Sequence, residues 1–271
     1  MRINVVSEPG RVPQSMPGEL GDFLRSRREK LDPVSLKLPS ARRRRTPGLR
    51  REEVAALAGI GVDWYIRLEQ GRSVRPSPAT VSALGRALQL NKAEQAHLVA
   101  LTRKPESGSQ RWIFQPEVVP TTLRRVVENQ NAPAYLTGRR WDVLAWSPAA
   151  DQIFGFSRIP PTERNVLLGM LTRPEMRELF GQSWAQEAQR MVSEFRAVFD
   201  LWATDPSFIG LVEQLQQSSP EFSAWWRTHD VSRVASGRKS MLLQQGHRSF
   251  EYTSFQSNDD QGLKLVIYAE P

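Results

Sequence analysis

Cysteine is absent from this 271-residue chain. No disulfide can hold the fold, no thiolate can bind a metal and no cysteine nucleophile can act. Histidine is nearly as scarce, at positions 97, 229 and 247 only, and none of these pairs with another at metal-ligand spacing. A G-x-S-x-G elbow and a Walker loop are also missing. With no constellation for catalysis, the expectation is a protein that is not an enzyme and holds no cofactor or metal. No apolar run approaches the roughly 20 residues a membrane span needs. The opening Met1-Arg2-Ile3-Asn4-Val5-Val6 is soon interrupted by Glu8 and Pro13, so it does not read as a signal peptide. A cytoplasmic address without a membrane partner follows as the expectation.

What is present is an ordinary globular composition, 39% hydrophobic and 24% charged, with a net charge of +8. That charge is unevenly placed. Residues 1–110 carry 20 basic and 11 acidic side chains, net +9, whereas residues 111–271 carry 17 and 18, net −1. A basic first part reads as a polyanion binder and a neutral second part as something else. Membrane surfaces are polyanionic too, so charge alone does not select DNA.

Residues 1–17, with Pro13 and Pro17, read as a flexible arm. Residues 18–103 then show five helical segments: Gly18–Leu31, Arg51–Ala58, Val62–Gln70, one begun by Ser77-Pro78, and one from Lys92 to Thr102 capped by Asn91. Residues 104–110, Lys-Pro-Glu-Ser-Gly-Ser-Gln, form a linker. Residues 111–271 open with a helix near Thr122–Asn129 and two short strands, Ala134–Leu136 and Asp142–Trp146. Helices at Glu163–Leu171, Pro174–Phe180, Ser183–Trp202 and Ser207–Gln216 follow. Strand-like Lys239–Leu243, Ser249–Phe255 and Leu263–Ala269 end the chain, with a hairpin signal at Asn258-Asp259-Asp260-Gln261-Gly262. The fold class expected is α plus α/β: a five-helix N-terminal domain, then a mixed α/β domain with an antiparallel sheet.

Leu49–Gly71 carries the sharpest local signal. Ala55 is small enough for two helices to approach, and Gly59 allows a left-handed turn between them. Val54, Ala58, Ile60, Tyr65 and Leu68 would bury the seam of a helix-turn-helix and free the far side of its second helix for a DNA major groove. Gly61, Val62, Asp63, Ile66 and Arg67 lie at or beside the groove-facing positions. Arg67 suits guanine O6 and N7, and Asp63 either accepts from cytosine N4 or merely favours the helix dipole. Arg50 and Arg51 start the preceding helix and suit phosphate. The run Arg42, Arg43, Arg44 and Arg45 reads either as a solvated loop or as a basic arm on phosphate or the minor groove, and Arg72 and Arg75 follow the reading helix.

These residues resemble the Xre-type helix-turn-helix regulators. More narrowly, Arg51-Glu52-Glu53-Val54-Ala55, Asp63-Trp64-Tyr65 and Arg67-Leu68-Glu69-Gln70-Gly71-Arg72 resemble the MmyB-like subset. The likeness continues in Asn131-Ala132-Pro133-Ala134-Tyr135, Arg140-Trp141-Asp142, Ser223-Ala224-Trp225-Trp226 with His229-Asp230-Val231, and Asp260-Gln261-Gly262-Leu263. The resemblance implies a PAS-like C-terminal domain able to hold an elongated apolar ligand such as a fatty acid.

Seven of the eight tryptophans lie beyond residue 110. Filling a core is one reading of these aromatics, lining a cavity the other. The expected ligand set is Tyr135, Trp146, Phe154, Phe195, Phe199, Trp225 and Tyr252, with Arg190 and His229 available to a carboxylate; Arg196 and Arg233 are further candidate cations. The function expected is a homodimeric regulator of a double-stranded DNA operator, controlled by a small apolar ligand. One rival keeps the DNA binding and gives the second half only dimerisation or partner binding. Another fuses an enzyme to the DNA-binding domain.

Overall fold

The computed structural model describes residues 18–36, 38, 48–72, 75–102, 113–232, 236–258 and 260–271. The arm at 1–17, Arg42–Arg45, Arg233 and the linker at 104–110 lie outside the described residues. The chain divides into two compact units: the described residues up to Gln89 form most of the first, and Leu90–Ala100 groups with the residues from 113 onward in the second.

In the first unit, α1 (Glu19–Lys30), α2 (Arg51–Ala58), α3 (Val62–Glu69) and α4 (Pro78–Ala87) enclose a core of Phe23, Leu24, Leu49, Val54, Ala55, Tyr65, Leu68 and Leu84. The first four helices of the sequence reading are present here. Gly59 sits at φ 66° between α2 and α3, where a side chain would be strained, and closes α2 with its N–H on Ala56. Ser77 accepts from Thr80 N–H at 3.2 Å and Pro78 opens α4, both satisfying groups that a helix start leaves unpaired. Any side chain at Gly21 would strike the Glu69 carbonyl, so α1 and α3 come together only because that position has no Cβ.

The second unit contains α5 (Lys92–Thr102) over most of its length. Asn91 Oδ1 accepts from Ala93 and Glu94 N–H, and Glu94 accepts in return from Asn91 N–H, a reciprocal cap at this helix start. The sequence reading placed all of α5 with the helix-turn-helix. The physical basis of its grouping with the second unit is His97, 1% exposed and packed among side chains of residues 196–229.

The sheet of the second unit holds β1 (Ala134–Thr137), β2 (Val143–Trp146), β3 (Gly237–Leu243), β4 (Gly246–Gln256) and β5 (Lys264–Ala269). All neighbours are antiparallel, in the order β2-β1-β5-β4-β3. Tyr135, Val266, Tyr268, Phe250 and Met241 point into the main core. That core is completed by α7 (Pro148–Phe154), α8 (Val166–Thr172), α9 (Pro174–Phe180), α10 (Trp184–Trp202), α11 (Pro206–Ser218) and α12 (Pro220–Arg227). Residues of opposite parity, Leu136 and Ala145, pack instead with Val127 of α6 (Thr121–Glu128) and with Leu263.

The mixed α/β class with an antiparallel sheet is therefore the observed one. Two helices, α7 and α12, are additions to the sequence reading. The stretch read as a helix from Glu163 begins instead as a 3₁₀ turn at Pro161–Glu163, with α8 starting only after Asn165 accepts from Leu167 and Leu168 N–H.

Candidate functional site

The first candidate surface is the outer side of α3. Gly61, Val62, Asp63 and Arg67 are exposed and Ile66 is half-buried, while Tyr65, Leu68 and Glu69 face inward. Exposed residues thus recur on one face of a short helix, as a groove-reading helix requires. Arg72 and Arg75 beyond it are exposed as well. Arg50 lies at the N-cap of α2, 3.4 Å from Glu52.

Arg51 has a second attachment that its sequence position did not reveal. Its Nε and Nη2 donate to Glu69 Oε1 at 3.0 and 2.8 Å. Arg28 donates through Nε and Nη2 to the two oxygens of the same carboxylate, both at 2.9 Å, and Arg25 stands 3.5 Å away. Burial alone would raise the Glu69 pKa, but the hydrogen bonds and charges of Arg28 and Arg51 hold it below the usual carboxylate range. Glu69 therefore ties α1, α2 and α3 together at one point. Its side chain is fully buried, whereas that of Arg51 remains 44% exposed.

The second candidate is a pair of small adjoining cavities in the second unit, about 60 and 40 Å³, both partly open to solvent. Tyr135, Val166, Met191, Lys239 and Tyr268 belong to both walls. One cavity is mostly apolar, with Phe154, Phe156, Ile159, Met170, Met176 and Phe180 around it and Asn165 and Arg173 also in its wall. The other adds Arg190, Glu194, Lys264, Tyr252, Thr137 and Trp141. The combined space has a greasy end and a charged end.

The charges at that end are ordered by one helix. Glu187, Arg190 and Glu194 follow at three- and four-residue intervals on α10. Arg190 donates to Glu187 at 2.8 Å and also to Glu194. Across from them, Lys239 of β3 places Nζ 3.6 Å from Glu187, below the ring faces of Tyr252 and Phe180 at 4.7 and 5.6 Å. Burial lowers the Lys239 pKa to about 8, with Glu187 opposing the shift and Arg190 adding to it. Burial lowers Lys264 as well, and raises Glu194 against the pull of Arg190 and Lys264. Three cations thus face two carboxylates in a half-dry space.

Of the expected ligand residues, Tyr135, Phe154, Arg190 and Tyr252 line these cavities. Others lie elsewhere. Phe195 is fully buried between Trp141 and Phe208, Trp146 packs on Phe156 under Arg164, Phe199 packs on Trp226, and Trp225 packs on Trp184. His229 is buried with Nδ1 3.3 Å from His97 Nε2 and 3.3 Å from Arg196 Nη1. Arg196 in turn donates to the Trp226 carbonyl, and His97 Nδ1 lies 2.7 Å from Asp200. Arg196 and Asp200 of this group sit further along α10, past the residues of the cavity wall.

Lys239, Lys264, Glu194 and Tyr268 were not among the expected residues, although their signal was available. Lys239 alternates with Met241, and Lys264 with Val266 and Tyr268, on strand positions whose other members are apolar and buried. A lysine on the core parity of a strand is unusual enough to mark an internal charge. Trp141 carries a different mark, a positive φ of 68° that bulky residues rarely adopt. Asp142, gripped by Arg140 at 2.8 Å and by Asn165 at 3.0 Å, fixes the turn that puts the Trp141 ring in the cavity wall.

Among the described residues there is no group of three or more His, Asp or Glu able to hold a metal ion, and no helix long and apolar enough to cross a membrane. Residues 119–271 match the family model described as the MmyB-like transcription regulator ligand binding domain. Residues 19–98 match a model described as a helix-turn-helix domain. A comparison with curated proteins finds no match.

Proposed function

The chain belongs to the MmyB-like transcription regulators, with a helix-turn-helix domain ahead of a ligand-binding domain, and we propose that it is a cytoplasmic, non-enzymatic, Xre-type repressor or activator that reads its operator as a homodimer and answers to a fatty acid. The observation that carries the ligand is the two-ended cavity. A buried cation without a partner is costly, and a carboxylate among Arg190, Lys239 and Lys264 would balance the charge that Glu187 and Glu194 leave over. The acyl chain would then run between Phe154, Phe156, Met170 and Phe180. The antiparallel order β2-β1-β5-β4-β3, with helices packed on the cavity side, supports the PAS-like reading of this domain.

For DNA, Arg67, Asp63 and Val62 are proposed to meet base edges, and Arg50, Arg51, Arg72 and Arg75 the phosphates. An eight-residue reading helix covers few base pairs, so two symmetric half-sites are the expected remedy. A ligand controls such binding only if it prefers one of two states. The same α10 that walls the cavity holds His97 of α5 through Asp200, which gives occupancy a physical route toward the segment that follows the reading helices in the chain.

Native mass spectrometry of the freshly purified chain, against its denatured mass, tests the ligand. The expected result is a retained mass of a single-chain acid, restored by tetradecanoate after delipidation and not by tetradecanol. A chain that takes up neither would leave the second half as an interaction module.

A further inference from the structure

Lys239 is placed for more than an ion pair. It lies where the two cavities meet, is 6% exposed, and has the rings of Phe180, Tyr252 and Tyr268 over its ammonium. Covalent capture of a carbonyl by an amine needs four things: a free amine, a group that moves protons beside it, a slot for the rest of the ligand, and little water to reverse the reaction. Glu187 Oε2 at 3.6 Å supplies the second. The apolar cavity supplies the third, and the burial of Nζ among rings supplies the fourth.

We infer that Lys239 is a covalent binding site for long-chain aldehydes, which it holds as an imine with the chain in the apolar cavity. This rests on the reading of the cavity as a ligand site and adds a second class of ligand to it. The Nζ lone pair adds to the aldehyde carbon as the C=O π electrons move onto oxygen, and one amine proton passes to that oxygen to give a neutral carbinolamine. Glu187 then takes up and returns a proton as the hydroxyl leaves. One C=N bond forms, one C=O bond is lost and one water is released, with no oxidant or reductant. The free amine comes from burial: a pKa of about 8 gives roughly two orders of magnitude more neutral lysine near pH 7 than an ordinary side chain has. The imine that results, once it takes a proton from solvent, keeps the same ring faces and the same Glu187 counter-ion.

The test uses the full-length, delipidated chain incubated with tetradecanal near pH 7, reduced with cyanoborohydride and mapped by peptide mass spectrometry. Quenching of tryptophan fluorescence, without reductant, reports binding of tetradecanal and tetradecanoate separately. The expected result is one adduct, with the mass of the aldehyde less one oxygen, on Lys239 in preference to Lys30, Lys37, Lys92, Lys104 and Lys264. Excess tetradecanoate should suppress it, and Lys239→Arg should abolish it while its melting stays cooperative. Binding of both probes with label spread over the exposed lysines, or centred on Lys264, would overturn the imine and leave the cavity reading intact. Failure of both probes to bind, with no label at Lys239, would overturn the two together. The wild-type map decides even if the arginine variant does not fold.

Discussion

Each unit buries charge, and the two do so differently. In the first, the Glu69 carboxylate is filled by Arg28 and Arg51, and the surplus positive charge on Arg25 and Arg51 faces solvent. In the second, Arg190, Lys239 and Lys264 share Glu187 and Glu194 around a cavity. A carboxylate whose hydrogen-bonding capacity is used up by the protein itself is a tie between helices. A cluster that leaves its extra charge facing an enclosed space is instead prepared for a partner that is not protein.

This contrast predicts where damage falls. Glu69→Ala would strand Arg28 in a buried position, and loss of one partner of a buried pair costs about 3–5 kcal/mol. Melting of the first unit should drop sharply, and an unchanged transition would show that the tie is dispensable. The pH dependence has a defined sign. Glu69 titrates lower folded than unfolded, so its contribution is present above the unfolded carboxylate range and is lost as pH falls through the depressed folded value.

Lys239 has the opposite sign. Its folded pKa of about 8 is below the ordinary 10.5, so the unfolded chain binds more protons between these values and stability rises with pH across that window. The rise is on the order of 3 kcal/mol for this group. Lys239→Met should remove that rise while lowering tetradecanoate affinity. A variant with the same pH slope as the parent would contradict a desolvated amine.

On the DNA side the effects are smaller. Arg67→Ala should cost about 1–3 kcal/mol of operator binding and relax preference at one base position, whereas Arg72→Ala should weaken all sequences alike and lower the salt slope by about one. Competition with base-substituted duplexes at several salt concentrations separates the two, and an unchanged base profile for Arg67→Ala would remove it from the reading set. Smallest of all, Ser77→Ala removes the exposed cap that accepts from Thr80 N–H and should cost about 1 kcal/mol in the melting of the first unit.

Much of the fold was legible because it obeys short-range rules. The helix-turn-helix followed from Ala55, Gly59 and the spacing of Val54, Tyr65 and Leu68, and the terminal strands from alternation and the Asn258–Gly262 turn signal. Helices α7 and α12 were legible but unread: Ser147-Pro148 and Ser219-Pro220 repeat the cap-and-proline start recognised at Ser77-Pro78. The cavity was harder. Phe195 and Phe154 are alike in composition, yet one is fully packed and the other lines space, because that depends on which helices meet around each ring. His229 offered no hint of His97, which lies 132 residues away in the chain.

The proposed function requires that cavity and operator be energetically coupled. The direct measurement is the affinity of the full chain for its selected operator duplex, by fluorescence anisotropy, with the cavity empty and then saturated with tetradecanoate. A change of at least about fivefold is expected, the lower end of ordinary allosteric coupling, absent with tetradecanol. Equal affinity for the operator with the cavity demonstrably filled would contradict it.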